Sequence, residues 1–465
     1  MIKYRHVAEQ FICRINAGQL AVGLKLPPLR KLMTQHDISM TTALSCYRYL
    51  EQQGYASAQD KKGFYANKPY HASNTLTFPR FSPEIKTLKS EPNKIGMTTI
   101  ANSFATASLD NQLIDSQCLK QSLTSATKHS LFDLAYEPPQ GNINLRQQLA
   151  KHFTLQGFTS HADELVITNG CLDAVVTALN TFCKAGDVVA VSSPCYVGIL
   201  EILSLLELAV IEIPTTHEGI NLTQLTDIIE NNKIKACIFT ANHQNPTGHN
   251  INNQQKQQLA SIAAQYQLPI IEDDIFRELN HRGEIPLPIK HFDEQGWVLW
   301  CSSFSKTVAP GLRLGWCKPG RFISEYIQQR QVKTLGVNQP IQLAMAEYIA
   351  KGHYARHLKK TNKLLSNHCI TYLTYLRQYL PADSEMIMPN GGLVLWVRVP
   401  KLDSAKLMLA LHQFSIYIKS GHEFSTTALY NDCFRLNIGL IPSESSLKQL
   451  DKVIELIMLQ SSTNT

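Results

Sequence analysis

The stretch that most constrains this chain is SSFSKTVAPGLRLGW, residues 302–316. It places an amine, two hydroxyls and a guanidinium on one short turn, carried by Lys306, Ser303, Ser305 and Arg313. A lysine amine can form a Schiff base with an aldehyde, and the planar arginine fork is a strong partner for a phosphate dianion. Alone, the pattern is that of an ordinary loop, so its meaning depends on the residues around it.

Two upstream runs end in polar groups, as the strands of an α/β sheet do. IKACIFT at 234–240 leads into the turn NPTG at 245–248, and LPIIEDD at 268–274 ends in carboxylates. Strand ends are where α/β sheets expose functional groups. A carboxylate there can keep a pyridine nitrogen protonated, although a solvated acidic strand end is the alternative. Together with Lys306, these runs indicate a site for pyridoxal 5'-phosphate, an aldehyde cofactor with a phosphate tail.

Taken in order, these motifs resemble the fold-type I aminotransferases over roughly residues 100–460. The resemblance implies an α/β fold with a mixed, mostly parallel sheet, helices on both faces and a small C-terminal α/β subdomain. It implies that Lys306 is the catalytic Schiff-base lysine, that Asp273 pairs with the pyridine nitrogen and that Asn245 donates to the phenolic oxygen. The other cofactor contacts that it implies are Ser303, Ser305, Arg313, Gly170, Cys171, Leu172, Tyr196, Phe276 and Tyr136.

The roles of several of these residues follow from the same resemblance. Gly170, Cys171 and Leu172 are expected to offer backbone N–H groups to the phosphate at a helix N-terminus. Tyr196 is expected to stack on the cofactor ring, and Tyr136 to reach the cofactor phosphate of a neighbouring subunit. Arg435, in FRLN at 434–437, is expected to hold a substrate α-carboxylate.

Three positions depart from the family pattern. Phe276 stands where the family has a tyrosine that donates to the phenolic oxygen, so one hydrogen bond is lost. Leu172 stands where a polar side chain is frequent, and Ser420 replaces a common proline. These departures leave cofactor binding intact and favour slow turnover.

The excess positive charge of the chain lies in its first 70 residues. They carry ten Lys or Arg against four Asp or Glu, a net charge of +6, whereas the whole chain has +7. A basic small domain on a nearly neutral large one indicates a polyanionic partner, because neutralising phosphates releases counterions. Charge alone leaves simple solubility as an alternative.

The periodicity of this region predicts a helix-turn-helix. Apolar residues recur at helical spacing from Tyr4 to Ala17, a short basic helix follows at 29–33, and Ser39 can cap a third helix that ends near Gly54. A capped second helix after a turn is the layout of a recognition helix that enters the major groove. Residues 55–57 and 63–65 then predict a β-hairpin wing with lysines at its tip.

Three stretches resemble the winged helix-turn-helix of the GntR family: GLKLPPLRKL, DISMTTALSCYRYLEQQGY and KKGFYANKP. The resemblance implies binding to a double-stranded DNA operator. Met40 stands where an arginine is usual, so one contact would be missing. The alternative is a helical dimerisation cap with a basic face. The candidate DNA contacts are Arg30, Ser39, Thr41, Thr42, Arg48, Lys61 and Lys62.

The predicted organisation is a DNA-binding domain at 1–70, a linker at 71–99 and a pyridoxal-phosphate-binding domain at 100–465. The linker prediction rests on scattered Pro, Ser, Thr and Asn with no sustained apolar period. The N-terminus lacks a signal-peptide core, and the apolar stretch 199–213 is interrupted by glutamates, so we expect a cytoplasmic protein without membrane contact. Eleven cysteines without a CxxC pair predict reduced core residues and no metal site.

A GntR-like head, a linker and an aminotransferase-like body together resemble the MocR subfamily of bacterial regulators. The resemblance implies a homodimer in which the cofactor, alone or with a small amino compound as effector, controls DNA binding. An active aminotransferase with a secondary head is the main alternative, in which the amino compound is the substrate. A cofactor-binding DNA-compaction protein is a third reading, which gives no reason for Arg435.

Overall fold

The computed structural model describes residues 3–21, 23–52, 55–59, 63–66, 76–88, 103–128, 136–427 and 429–463. The chain divides into two units, Met1–Ser73 and Asn74–Thr465. The described residues contain no helix that is long and apolar enough to cross a membrane.

The described residues of the first unit form three helices and a hairpin. The helices are α1 (Lys3–Asn16), α2 (Leu29–His36) and α3 (Met40–Gln52), and the antiparallel hairpin pairs β1 (Ala56–Gln59) with β2 (Gly63–Ala66). The apolar face of α1 is buried because its residues recur every three or four positions. One core joins the three helices to the hairpin and includes Val7, Phe11, Ile15, Leu32, Ala43, Cys46, Tyr47 and Leu50.

The turn between α2 and α3 is set by local chemistry. Asp37 adopts a left-handed conformation with φ 46°, and its N–H bonds to the carbonyl of Met33. Ser39 Oγ accepts the N–H of Thr42 at 3.2 Å, which is the predicted cap of α3. The predicted end of this helix at Gly54 and the tip of the wing lie outside the described residues.

Within the described residues, the second unit is built around a nine-stranded mixed sheet. Its strands run in the order β3–β6–β5–β8–β9–β10–β11–β4, with β7 paired to β6. Five strands that are adjacent in the sheet, β6–β5–β8–β9–β10, run parallel to one another. The pairs outside this set are antiparallel. The mostly parallel sheet predicted from the sequence is confirmed. The strands are β3 (Ile85–Thr87), β4 (Val166–Thr168), β5 (Val188–Ser193), β6 (Ala209–Thr216), β7 (Gly219–Ile220), β8 (Ile234–Phe239), β9 (Ile270–Asp273), β10 (Val298–Ser303) and β11 (Gly315–Lys318).

Helices cover both faces of this sheet, as predicted. Alternate residues of a strand point to opposite faces, and Val189 and Ala190 of β5 accordingly belong to two different cores. One core includes α6 (Cys171–Phe182) and α7 (Val197–Leu205), and the other includes α8 (Leu222–Asn231) and α9 (Asn253–Gln265). Further helices of this unit are α4 (Ser116–Lys128), α5 (Ile143–Leu155), α10 (Ile323–Lys333), α11 (Gln339–Ala350) and α12 (His353–Tyr379).

The C-terminal part forms the small α/β subdomain that was predicted. Four antiparallel strands lie in the order β12–β13–β15–β14, and the C-terminal half of α12 packs on them with α13 and α14. The added elements are β12 (Glu385–Met386), β13 (Val394–Arg398), α13 (Ser404–His412), β14 (Lys419–Ser420), β15 (Cys433–Asn437) and α14 (Glu444–Thr463).

Part of the segment predicted to be a loosely packed linker is attached to the second unit. Leu76 is buried against Trp396 and Phe424, and Thr77 donates its backbone N–H to Glu385 at 2.6 Å. Strand β3 then pairs with β6 and forms one edge of the sheet. The structure therefore differs from the linker prediction over residues 76–88, because one buried leucine and a three-residue edge strand are too short to produce an apolar period.

Candidate functional site

The sheet register brings the proposed phosphate ligands together. Ser303 at the end of β10 pairs with Gly315 of β11, and Gly315 pairs with Thr168 of β4. Because β4 leads directly into Gly170 and α6, the end of β10 lies close to the start of that helix. Arg313, in a left-handed conformation with φ 47°, donates from Nη2 to the carbonyl of Asn169 at 2.9 Å.

The turn at Gly170 requires a glycine. Its φ is 106°, and a Cβ there would lie 2.9 Å from Nη2 of Arg313. The turn is followed by the N-terminus of α6, where unpaired backbone N–H groups and the helix dipole favour an anion. Ser303 ends β10 and Ser305 lies two residues beyond it; both are buried, and the Ser305 N–H is bonded to Ser303 Oγ at 3.2 Å. This donor set fits the phosphate of pyridoxal 5'-phosphate.

Lys306 follows these hydroxyls and is partly buried. Its Nζ donates to the carbonyl of Ala107 at 2.6 Å. Burial, together with the positive charge of Arg435, lowers the pKa of Lys306 to about 8, while the charge of Asp273 acts in the opposite direction. A larger fraction of this amine is therefore neutral at pH 7 than for an ordinary lysine, which suits a nucleophile.

Asp273 ends β9 and faces the same site. The side chain is 5% exposed, and burial raises its pKa to about 6. The Cys171 thiol and the Ile275 N–H both donate to its Oδ1, at 3.2 and 3.3 Å, and these bonds lower the pKa. The carboxylate is thus available at neutral pH to pair with a protonated ring nitrogen.

Arg435 on β15 supplies a buried fork to the site. Its Nη1 donates to Oδ1 of Asn245 at 3.2 Å, and its Nη2 donates to the carbonyl of Ala105. The guanidinium lies 5.6 Å from the ring centroid of Phe424. Its Nε is buried and has no hydrogen-bond partner within the described parts of the chain. A planar guanidinium with an unused N–H can donate to a carboxylate and bind it.

Tyr196 completes this group of side chains. Its ring packs on Gly198, where a Cβ would lie 2.6 Å from the tyrosine Cε1. Burial raises the pKa of Tyr196, and the charges of Arg435 and Asp273 both act on it. We call Lys306, Asp273, Asn245, Tyr196 and Arg435 the site cluster; the sequence predicted each of its members.

A backbone segment that the sequence did not predict as part of the site lies against the cluster. The 103–110 segment carries the carbonyls that accept from Lys306 and Arg435. Asn437 N donates to Phe104 O at 2.9 Å, and Asp110 N donates to Gly439 O at 3.0 Å, so the segment is held at both ends. Its contribution comes from peptide groups, which no residue type marks in a sequence.

Three other predicted cofactor contacts lie outside the site cluster. Tyr136 is 85% exposed in the single chain. A residue that contacts another subunit is expected to be exposed there. Phe276 is buried in the largest core and offers no hydroxyl. Leu172 lies at the start of α6 with a side chain that is 36% exposed, so only its backbone can act as predicted.

The candidate DNA contacts that the structure describes lie on α2, on α3 and, for Ser39, directly before α3. Arg30, Thr41 and Arg48 are exposed, whereas Ser39 and Thr42 bond to each other in the helix cap. Lys61 and Lys62 lie outside the described residues. Lys25, which is not among the predicted DNA contacts, pairs through its backbone with Tyr65 beside the hairpin. Nothing in its local sequence distinguishes it from the other basic residues of the unit.

Comparisons with known proteins cover both units. Residues 103–454 match the family described as aminotransferase class I and II, and residues 3–66 match that of bacterial regulatory proteins, gntR family. The chain is 34% identical to the uncharacterized HTH-type transcriptional regulator YdcR of Escherichia coli K12, over 98% of this chain and 99% of that protein. Aromatic-amino-acid aminotransferase 1 of Thermococcus litoralis is 28% identical over 71% of this chain and 81% of its own length.

A solved structure shares the fold of the second unit. The multiple substrate aminotransferase of Thermococcus profundus has a TM-score of 0.72 and 23% identity, covering 79% of this chain and 93% of that one.

Proposed function

The chain belongs to the aminotransferase class I and II family and carries a gntR-family domain, and on this basis we propose that it is a transcriptional regulator controlled by pyridoxal 5'-phosphate. In this proposal the head binds a double-stranded DNA operator in the cytoplasm, and the body senses a small amino compound. The observation that carries it is the site cluster in the same chain as a helix-turn-helix with exposed Arg30 and Arg48.

The cofactor would supply an aldehyde that bonds to amines and a ring that withdraws electrons. Lys306 would bond the aldehyde, Asp273 would hold the ring nitrogen and Asn245 the phenolic oxygen. Tyr196 would pack on the ring. The hydroxyls of the strand end, the N-terminus of α6 and the Arg313 guanidinium would hold the phosphate, and Arg435 would hold the carboxylate of an amino compound.

The 103–110 segment is the part of the body whose contacts the proposed ligands would change. Its carbonyls at Ala105 and Ala107 accept from Arg435 and Lys306, the two groups that the ligands would engage. A carboxylate at Arg435 competes with a peptide carbonyl for the same donors. The proposed coupling is that this change of contacts alters the DNA affinity of the head. A ligand acts in this way only if it binds the two conformations with different affinity.

Operator binding tests the regulatory function directly. DNA selected by the full-length protein from a random pool should yield a specific sequence, and its affinity should change when pyridoxal 5'-phosphate and amino compounds are added. Equal affinity for the selected and scrambled sequences would support the compaction reading. Specific binding that no cofactor or amine affects would contradict control by the body.

A working aminotransferase is the second candidate function. The lowered pKa of Lys306 and the buried Arg435 fork favour it, since a neutral lysine can move a proton and the fork can orient a substrate. Sustained turnover of an amino acid with an oxo-acid acceptor would establish it. We expect slow or absent turnover, because Phe276 provides no hydroxyl to the phenolic oxygen.

The proposed homodimer can be tested independently of either function. Tyr136 is the residue expected to reach the partner's cofactor phosphate, and its exposure supports this role. Light scattering should give twice the chain mass, and Tyr136→Phe should weaken cofactor binding without changing that mass. A monomer that binds the cofactor normally would contradict the dimer.

Replacing Arg48 by alanine should weaken DNA binding. The loss of one phosphate contact is expected to lower affinity for all sequences and to reduce the slope of log affinity against log salt by about 1. Fluorescence anisotropy at several salt concentrations measures both quantities. Arg14→Ala is the matched control, because it removes the same charge from an exposed position on α1. Equal effects of the two changes would indicate a general charge effect.

The rate of cofactor uptake should depend on pH through Lys306. Only the neutral amine attacks the aldehyde, and burial lowers the pKa of this lysine to about 8. The rate should therefore rise about tenfold for each pH unit below that pKa and level off above it. Stopped-flow absorbance after mixing the cofactor-free protein with pyridoxal 5'-phosphate gives the rate. The expected midpoint lies a full unit below about pH 9. A profile that still rises steeply past that pH would mean that the pKa of Lys306 is not lowered.

A further inference from the structure

The side chain of Cys171 lies directly against the carboxylate of the site cluster. Cys171 is the first residue of α6, is 3% exposed and donates from Sγ to Oδ1 of Asp273 at 3.2 Å. From the sequence, this residue is expected to act only through its backbone N–H at the phosphate. Its side chain contacts the group expected to hold the opposite end of the same cofactor.

We propose that Cys171 is a positioning residue, whose thiol orients the Asp273 carboxylate and keeps it ionised for the ring nitrogen of the cofactor. The inference rests on the proposed function, since it concerns the same cofactor site. It assigns to this chain a side-chain role at a position where the phosphate turn requires only a peptide N–H.

The arrangement of donors supports this role. The thiol and the Ile275 N–H both bond to Oδ1 of Asp273, and neither uses Oδ2. One oxygen is thus fixed by the protein, while the other remains for a donor on the cofactor. A buried carboxylate needs such donors, because leaving it unpaired costs free energy.

The same contact links the two ends of the site. Gly170 and the N–H groups after it lie at the phosphate turn, whereas Asp273 ends strand β9. The thiol therefore connects the start of α6 to the end of β9. A fixed distance between phosphate donors and ring partner preorganises a binding site.

The charged and titratable groups facing Asp273 determine what loss of the thiol would do. They are Asp274, Lys306, Tyr196, Cys195, Cys301 and Cys171. Asp274 raises the pKa of Asp273, whereas Lys306 and the Cys171 hydrogen bond lower it. Removing the thiol hydrogen bond should therefore raise this pKa above its value of about 6.

The sign of the expected pH effect follows from this direction. The cofactor's protonated ring nitrogen binds the ionised form of Asp273, so binding is strongest above the pKa of Asp273 and weakens as the pH falls through it. In Cys171→Ala the weakening should start at a higher pH, with the midpoint moved up by about one unit. Between the two midpoints the variant should bind up to about tenfold more weakly than the parent protein.

The experiment titrates the cofactor-free full-length protein with pyridoxal 5'-phosphate from about pH 5 to about pH 9, a range that brackets the titration of Asp273. Visible absorbance gives the dissociation constant at each pH. Cys171→Ser keeps a donor and should retain the parent midpoint. Cys237→Ala is the matched control, because it also removes a buried thiol but lies in the core on the other face of the sheet. It should change stability without moving the midpoint.

A cofactor analogue separates the ring nitrogen from other effects. Deazapyridoxal 5'-phosphate carries a carbon in place of that nitrogen, so its binding should not respond to Cys171→Ala in a pH-dependent way. The inference is overturned if the alanine variant weakens binding equally at every pH, if the serine variant shifts like the alanine variant, or if the analogue shows the same shift. A parent protein that fails to bind pyridoxal 5'-phosphate would instead overturn the proposed function, and this inference with it.

Discussion

Replacing Lys306 by alanine is expected to abolish the visible absorption band of the cofactor-loaded protein and the response of DNA binding to the cofactor. Lys306 carries the only primary amine of the site cluster, and the bond between that amine and the aldehyde produces the band. Affinity for pyridoxal 5'-phosphate should fall by at least about 100-fold, which corresponds to about 2.7 kcal/mol. DNA affinity measured without cofactor should remain within about twofold of the parent value, a change of less than 0.5 kcal/mol.

Two further variants separate the amine from its charge. Lys306→Arg keeps a cation near Ala107 but cannot bond the aldehyde, so it should behave like the alanine variant in absorbance. Lys184→Ala removes an exposed lysine of the same unit and should leave both band and response unchanged. A normal band in Lys306→Ala would place the cofactor elsewhere. An unchanged DNA response in that variant would disconnect regulation from this lysine.

Replacing Arg435 by alanine is expected to remove the preference of the body for ligands with a carboxylate. The guanidinium is 2% exposed, and truncating one partner of a buried, hydrogen-bonded charge pair typically costs 2–5 kcal/mol, or roughly 30- to 4,000-fold in affinity. The measurement compares an α-amino acid with the amine formed by removing its carboxylate, using the spectral change on binding. The parent should prefer the acid, and the variant should bind both alike.

The fork geometry should matter as well as the charge. Arg435→Lys keeps the cation but loses the planar pair of donors that faces Asn245 and Ala105. It should therefore regain only part of the preference for the acid. If Arg435→Ala keeps the full preference, the carboxylate is recognised by another group. Equal loss of affinity for both ligands would indicate a disturbed fold, which a lowered melting temperature would reveal.

Much of the site could be predicted from the sequence because its side chains lie at strand ends. Ser303, Asp273 and the Gly170 turn follow buried strands, and adjacent strands of one sheet bring such ends together. Arg435 was found through its motif, although the register that places it near Asn245 could not be read from one chain. The mixed sheet, the helices on both faces and the C-terminal subdomain were also predicted.

Other features could not be predicted, for identifiable physical reasons. Ala105 and Ala107 act through carbonyls, which every residue possesses. The contact between Cys171 and Asp273 joins residues 102 positions apart and depends on the packing of α6 against β9. Residues 76–88 are anchored by one buried leucine and a short edge strand, a signal too weak to separate from a linker. These are tertiary relationships without a local pattern.

Because two bonds join the site cluster to the 103–110 segment, the proposed response to ligands would require both bonds to be broken. Lys306 and Arg435 bond to carbonyls two residues apart, so a ligand that engages one donor leaves the other to hold the segment. The cofactor alone would engage Lys306, and a carboxylate alone would engage Arg435. Only an amino acid bound together with the cofactor would engage both donors, so the segment would lose both bonds only when the two are present together, while its ends stay bonded to Asn437 and Gly439. Under the proposed function, the body would therefore report the joint presence of cofactor and amino acid rather than the concentration of either one.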